Sequence, residues 1–256
     1  MIFRKVFSYG YALTVVLLLL YMVICGAGAA DIPRHVATIP VPREDADGKE
    51  RHAETLADPA RAKARLVFLG DSITEMWRAD DAGKPVWEKY WAGYDAVNLG
   101  IAGDRTEHVL WRIEHGALDG MAPRLVVLLI GTNNSGQSRE EGSKYRCTAQ
   151  QTADGIKAII EKIHAKCPGS KILLMGIFPR TENEDPSNLQ NIEINKIISK
   201  FSDGANVRYM DIGKRFVKPE NNDPTIMLMP DLLHLNTDGY KIWAEAIAPV
   251  VKELMK

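Results

Sequence analysis

Five short, largely apolar runs, at residues 66–69, 96–99, 125–130, 171–177 and 207–212, are separated from one another by charged segments with helical spacing. Runs of this length suit strands covered on both faces, because a strand with one wet face alternates apolar and polar side chains. The intervening patterns at 86–91, 107–114, 148–166, 192–202 and 238–254 repeat apolar residues every three or four positions, so each presents one apolar face as a helix. Such alternation leaves few folds. Successive strands lie parallel, the crossovers are right-handed and helical, and helices cover both faces of one sheet. The chain is therefore predicted to form an α/β domain, a three-layer α/β/α sandwich around about five parallel strands.

Residues 1–30 stand apart from this pattern. Arg4 and Lys5 precede an uncharged apolar stretch over 11–25, followed by the small residues of 26–30. This is the pattern of an export signal peptide, with cleavage expected near Ala29 or Ala30. The uncharged stretch 8–30 is also long enough to cross a bilayer as a helix, so an uncleaved membrane anchor is the alternative. Met22-Val23-Ile24 before Cys25 is a poor context for lipid attachment. Residues 31–64 read as an arm over the domain surface with a short helix at 50–65, and residues 65–256 as the main domain.

Without residues 1–30 the chain keeps thirty basic and thirty-three acidic side chains, a net charge of −3, with no long basic run. Nucleic acid is excluded as a partner on that ground, and a membrane is a partner only if the leader is retained. Cys147 and Cys167 would then be the remaining cysteines. If the segment between them is one helix, a rise of about 1.5 Å per residue separates them by roughly 30 Å, so two free thiols are expected.

In open α/β sheets ligands bind beyond the carboxyl ends of the strands, and four sequences fall there. Gly70-Asp71-Ser72-Ile73-Thr74 places a serine where a strand turns into a helix. Alone, that serine reads first as a helix cap. The loop Asn98-Leu99-Gly100-Ile101-Ala102-Gly103-Asp104-Arg105 has two glycines that let backbone approach a ligand, yet it lacks the spacing of a dinucleotide or phosphate loop. Gly131-Thr132-Asn133-Asn134-Ser135 offers a side-chain amide that can be aimed at developing negative charge. Asp231-Leu232-Leu233-His234 spaces a carboxylate and an imidazole closely enough to hydrogen-bond, leaving the other ring nitrogen for a serine. Among the other histidines His108 is the serious competitor, and it has no well-placed carboxylate to orient it. No histidine pair or Cys-x-x-Cys spacing supplies a metal site, and no cofactor is implied.

Taken in order, these four blocks resemble the GDSL or SGNH hydrolase family, whose serine, glycine, asparagine and histidine map onto Ser72, Gly103, Asn133 and His234. Within it, Gly103-Asp104-Arg105-Thr106 and His108-Val109-Leu110-Trp111-Arg112 are most similar to the branch of platelet-activating factor acetylhydrolase catalytic subunits and their bacterial relatives. The lead-in Pro40-Val41-Pro42-Arg43 with Arg51-His52 is also similar to bacterial members. Ile73 replaces the family's leucine after the serine. Thr74 occupies the second-glycine position of the Gly-x-Ser-x-Gly pentapeptide, which disfavours the different α/β-hydrolase fold.

The resemblance implies a flavodoxin-like SGNH hydrolase fold and a serine esterase. Ser72, His234 and Asp231 would form the triad, and the amides of Ser72 and Gly103 with the Asn133 side chain the oxyanion hole. Asp71, Asp104 and Asn134 accompany them as candidate substrate contacts. A short acyl group, acetyl first, and a small-molecule or carbohydrate ester are the implied substrate. Residues 214–230, with Met227, Leu228 and Met229, are a further candidate wall for the acyl group. The rivals are a lipid esterase or lysophospholipase, an acyltransferase to sugar hydroxyls, and a catalytically silent binding module assembled as a homodimer.

Overall fold

The structure, a computed structural model, describes residues 34–136 and 146–256; the predicted leader at 1–30 lies outside the described residues. Five strands, β1 (Leu66–Gly70), β2 (Ala96–Gly100), β3 (Leu125–Leu129), β4 (Lys171–Met175) and β5 (Val207–Met210), form one sheet in the order β2-β1-β3-β4-β5. Every pairing is parallel and in simple register, Leu66 opposite Ala96 on one side and Leu125 on the other.

Among the described residues, seven α-helices accompany the sheet: α1 (Ala46–Ala57), α2 (Ser72–Glu75), α3 (Lys84–Tyr90), α4 (Thr106–Arg112), α5 (Ala149–Lys166), α6 (Pro186–Ile198) and α7 (Thr237–Leu254). The sheet divides the apolar side chains by parity, as a period of two requires. Val67, Leu69, Val126 and Leu128 face one layer with Val109, Ile156 and Ile194 of α4, α5 and α6. Leu66, Phe68, Leu125 and Val127 face the other with Val86 of α3 and Trp243 and Ile247 of α7. Both faces are dry, so the central strands read as continuous apolar runs. On the second face Phe68 gathers Trp77, Trp91 and Trp243 at ring distances of 5.9, 5.4 and 6.4 Å, anchoring the segment after α2 to α3 and α7.

The chain steps from β1 outward to β2, then crosses to the other side of β1 for β3, so connections depart in opposite directions from the ends of β1 and β3. That reversal opens a crevice at their carboxyl ends. The arm does more than lie over the surface. From Arg34 onward it belongs to the same compact unit as the sheet, Ala37 is fully buried, and its carbonyl accepts the Thr106 hydroxyl at 2.9 Å. The Val41 amide donates to the Glu107 carbonyl at 3.1 Å. Cys147 and Cys167 are buried free thiols.

Candidate active site

Each loop at the crevice is shaped by a local constraint. β1 ends at Gly70 and the chain enters α2 at Ser72; Asp71 caps that helix by accepting the Ile73 amide at 3.0 Å. After β2, a side chain at Gly100 would bring its Cβ within 2.2 Å of the Glu75 amide nitrogen, and Gly103 adopts φ +77°, a backbone region that glycine enters without steric cost. The chain leaves β3 through Gly131 and reaches Asn133. From far along the sequence, residues 231–234 fold into a tight turn with Leu232 at φ +59°. That conformation costs a leucine about 1–2 kcal/mol, and the Thr181 amide holds it by donating to the Leu232 carbonyl at 2.8 Å.

The turn has a chemical consequence. Asp231 Oδ1 accepts the Leu233 and His234 amides at 3.0 and 2.7 Å, while Oδ2 lies 2.6 Å from His234 Nδ1. Across the ring, His234 Nε2 lies 2.9 Å from Ser72 Oγ. With Nδ1 protonated toward Asp231, Nε2 accepts the serine hydroxyl. Burial pushes the Asp231 carboxyl up, but hydrogen bonds from the His234 backbone and ring outweigh it and hold the group below the ordinary carboxylate range.

Opposite the imidazole lie hydrogen-bond donors. Among the described residues, the backbone amides of Ser72 and Gly103 have no protein acceptor. Asn133 Nδ2 donates to the Asp104 carbonyl at 2.9 Å, which fixes the carboxamide and leaves its second hydrogen for a ligand. Ser72, Gly103, Asn133 and His234 together line a cleft of about 700 Å³. A hydroxyl aligned with an oriented imidazole, facing donors across one cleft, is the arrangement that acyl transfer requires.

The profile of the GDSL-like lipase/acylhydrolase family matches residues 68–242. The chain belongs to this family. It is 30% identical over 227 residues to the platelet-activating factor acetylhydrolase IB subunit alpha2 of Rattus norvegicus, covering 86% of this chain and 92% of that protein. The corresponding alpha1 subunit of Homo sapiens is 30% identical over 226 residues, with 86% and 90% covered. In structure it is similar to a GDSL-like lipase from Bacteroides thetaiotaomicron, with TM-score 0.64, 20% identity and 80% and 97% of the two chains covered. A catalytic mutant of Axe2, an acetylxylan esterase from Geobacillus stearothermophilus, gives TM-score 0.54 at 18% identity, with 74% and 93% covered. The two structural likenesses show the fold. The family assignment makes this GDSL-like acylhydrolase a carboxylic ester hydrolase.

Three expected substrate contacts of the acylhydrolase need correction. Asp71, Asp104 and Asn134 are 1%, 0% and 0% exposed, so each turns away from the cleft that its chain neighbour lines. Asp104 is paired with Arg112, whose Nε lies 2.7 Å from Oδ2, and with Arg43 Nη1 at 3.2 Å from Oδ1. Asn134 accepts the Thr106 amide at 3.0 Å and donates to Glu107 Oε2 at 3.1 Å, tying the loop after β3 to the start of α4. The candidate acyl wall at 214–230 also lies elsewhere: Met229 is fully buried, Met227 is exposed, and Met76, Ala79 and Leu233 supply the apolar lining of the cleft. His108 is no base for Ser72. Its Nδ1 accepts the Arg105 amide at 3.1 Å, and burial with the nearby Arg105, Arg43 and Arg112 charges pushes its pKa down to about 3.

Asp71 has a second property. Its Oδ2 is buried without a partner among the described residues, and burial, aided by the Asp104 charge, pushes its pKa up to about 7. The folded state then holds a proton that the unfolded chain releases near pH 4, so stability falls as pH rises from about 4 to about 7. The loss is on the order of 4 kcal/mol once the pH exceeds 7. Asp71→Asn keeps the acceptor for Ile73 and removes the titration. Denaturant unfolding across pH 4–8 should therefore show a shallower fall for the variant; equal slopes would show that Asp71 does not titrate in this window.

Two side chains whose roles the sequence did not reveal brace the cleft. Arg43, from the arm, donates to the Ala102 carbonyl at 2.5 Å. Glu75 Oε2 accepts the Ala102 amide at 2.5 Å from the other side. The loop carrying Gly103 is thus held at the two peptide units on either side of Ala102, next to the donor it presents.

Proposed function

We propose that the chain is a serine esterase that removes short acyl groups, acetyl first among them, from carbohydrate esters through an acyl-enzyme. The observation that carries this reading is the continuous hydrogen-bonded chain from Ser72 Oγ through His234 to Asp231, with links of 2.9 and 2.6 Å. His234 Nε2 takes the Ser72 proton as Oγ attacks the ester carbonyl, and Asp231 orients the ring and stabilises its cation. The amides of Ser72 and Gly103 and the Asn133 carboxamide receive the oxyanion. His234 then passes the proton to the departing alkoxide, and water, deprotonated by the same nitrogen, cleaves the acyl-serine bond to release the acid. No step calls for a cofactor.

The short-acyl reading is supported by the acetylhydrolase names of the relatives at 30% identity and by the limited apolar lining, Met76, Ala79 and Leu233. The export pattern at residues 1–30 supports a site of action outside the cytoplasm, where polysaccharide esters are found; an uncleaved anchor would hold the same domain at a membrane. A nitrophenyl ester panel from acetyl to octanoyl tests the acyl half. Activity is expected to fall at least tenfold along the series, and activity that rises with chain length would instead identify a lipid esterase.

A further inference from the structure

The cleft at Ser72 continues past Arg78. A second depression of about 420 Å³ shares Glu75, Arg78 and Ala102 with it, and the first turns of α1 form its far wall. This extension has a different chemistry. Arg51 Nη1 lies 3.2 Å from Glu54 Oε2, Arg78 Nη1 lies 3.4 Å from the same oxygen, and Arg78 Nη2 lies 3.1 Å from Glu75 Oε1. Guanidinium donors and carboxylate acceptors therefore alternate along the groove. Arg51 is also tied to the sheet, its Nη2 donating to the Asn98 carbonyl at 3.2 Å.

We propose that this groove is the subsite for the alcohol half of the ester and that it takes a neutral, polyhydroxylated alcohol, a sugar ring. The inference rests on the serine-esterase reading of the adjoining cleft. A short acyl group is accommodated by the small apolar patch near Ser72, so the larger half of the ester must extend along the remaining length. Vicinal hydroxyls both donate and accept, and carboxylates paired beside guanidiniums satisfy both capacities with charge-assisted hydrogen bonds. The charge balance selects further. Asp47, Glu50, Glu54 and Glu75 face Arg51 and Arg78, an excess of two negative charges that disfavours a phosphate-bearing alcohol such as a lysophospholipid headgroup.

Two features link the groove to the reaction. Glu75 contacts Arg78 through one oxygen and the Ala102 amide through the other, so its carboxylate joins the alcohol subsite to the loop that presents Gly103. The outer wall, α1 at Ala46–Ala57, precedes the segment 68–242 that the family profile matches. It still lies within the 86% of this chain that aligns with the acetylhydrolase subunits, so the outer wall belongs to the part shared with those relatives.

The test compares a monoacetylated methyl xyloside, acetylcholine and 4-nitrophenyl acetate as substrates for wild type, Arg78→Met and Glu54→Gln. In each variant, kcat/KM for the xyloside relative to that for 4-nitrophenyl acetate is expected to fall tenfold or more, mainly through KM, with Arg78→Lys recovering part of it. Unchanged thermal midpoints would separate this from loss of fold. A ratio within twofold of wild type overturns the groove assignment, as does a wild type that cleaves 4-nitrophenyl acetate but not the xyloside. A shift confined to acetylcholine overturns it in favour of a cationic alcohol. If wild type cleaves none of the three, the esterase reading fails and the groove assignment falls with it.

Discussion

Ser72→Ala is expected to lower kcat on 4-nitrophenyl acetate by roughly 10⁴- to 10⁶-fold, the range seen when a serine hydrolase loses its nucleophile, while leaving the fold intact. The two halves of this expectation have separate physical origins. Oγ is the atom that His234 Nε2 approaches at 2.9 Å, and alanine leaves the base with nothing to deprotonate except water. Residual turnover would come from the oxyanion donors and from substrate binding. Stability should change by no more than about 0.5 kcal/mol, because Asp71, not Ser72, caps α2 and alanine is a good residue for the first helical turn. Labelling by a fluorophosphonate probe provides the second readout: strong for wild type, absent for the variant. Retention of more than about one per cent of kcat, or equal labelling, would remove Ser72 from the reaction.

The sheet was readable in the sequence because it is buried on both faces, yet its limits were not. The runs 125–130, 171–177 and 207–212 overshoot β3, β4 and β5, which end at Leu129, Met175 and Met210. Ile130, Ile177 and Ile212 remain buried, at 2–3% exposure, after the ladder has ended. Hydrophobicity reports burial and does not distinguish the last paired residue from the first residue of a buried exit loop. α6 begins at Pro186, six residues before the periodic pattern, because Asp185 accepts the Ser187 amide and caps the helix there. That signal is local and was present in the sequence as Asp185-Pro186.

At the site, position along the chain identified the loops but not the direction of each side chain. In the pairs Asp71-Ser72, Gly103-Asp104 and Asn133-Asn134, one member lines the cleft and the other is buried behind it. Neighbours in a tight turn point in opposing directions, and which one faces solvent depends on tertiary partners such as Arg112 and Thr106. Arg43 and Glu75 were harder still. Each acts on a peptide group flanking Ala102, next to Gly103, from a segment remote in sequence, and charged side chains on an arm or a first helical turn are ordinarily solvated.

Asn133→Ala is expected to lower kcat by 10²- to 10³-fold, about 3–4 kcal/mol of transition-state stabilisation, with little change in KM. The carboxamide is already oriented before substrate arrives, since the Asp104 carbonyl accepts one of its hydrogens at 2.9 Å, and Asp104 is itself immobilised by Arg112 and Arg43. Such preorganisation lets the second hydrogen meet charge that develops only as the carbonyl becomes tetrahedral, so the interaction is far stronger in the transition state than in the ground state. Alanine also strips a donor from the Asp104 carbonyl, and a purely structural effect through that loop would raise KM and lower the thermal midpoint together. The discriminating result is a fall in kcat, at constant KM and midpoint, matched by slower fluorophosphonate labelling, whose attack also develops charge on an oxygen facing these donors. A kcat within fivefold of wild type would show that the two backbone amides suffice and that Asn133 only braces the loop.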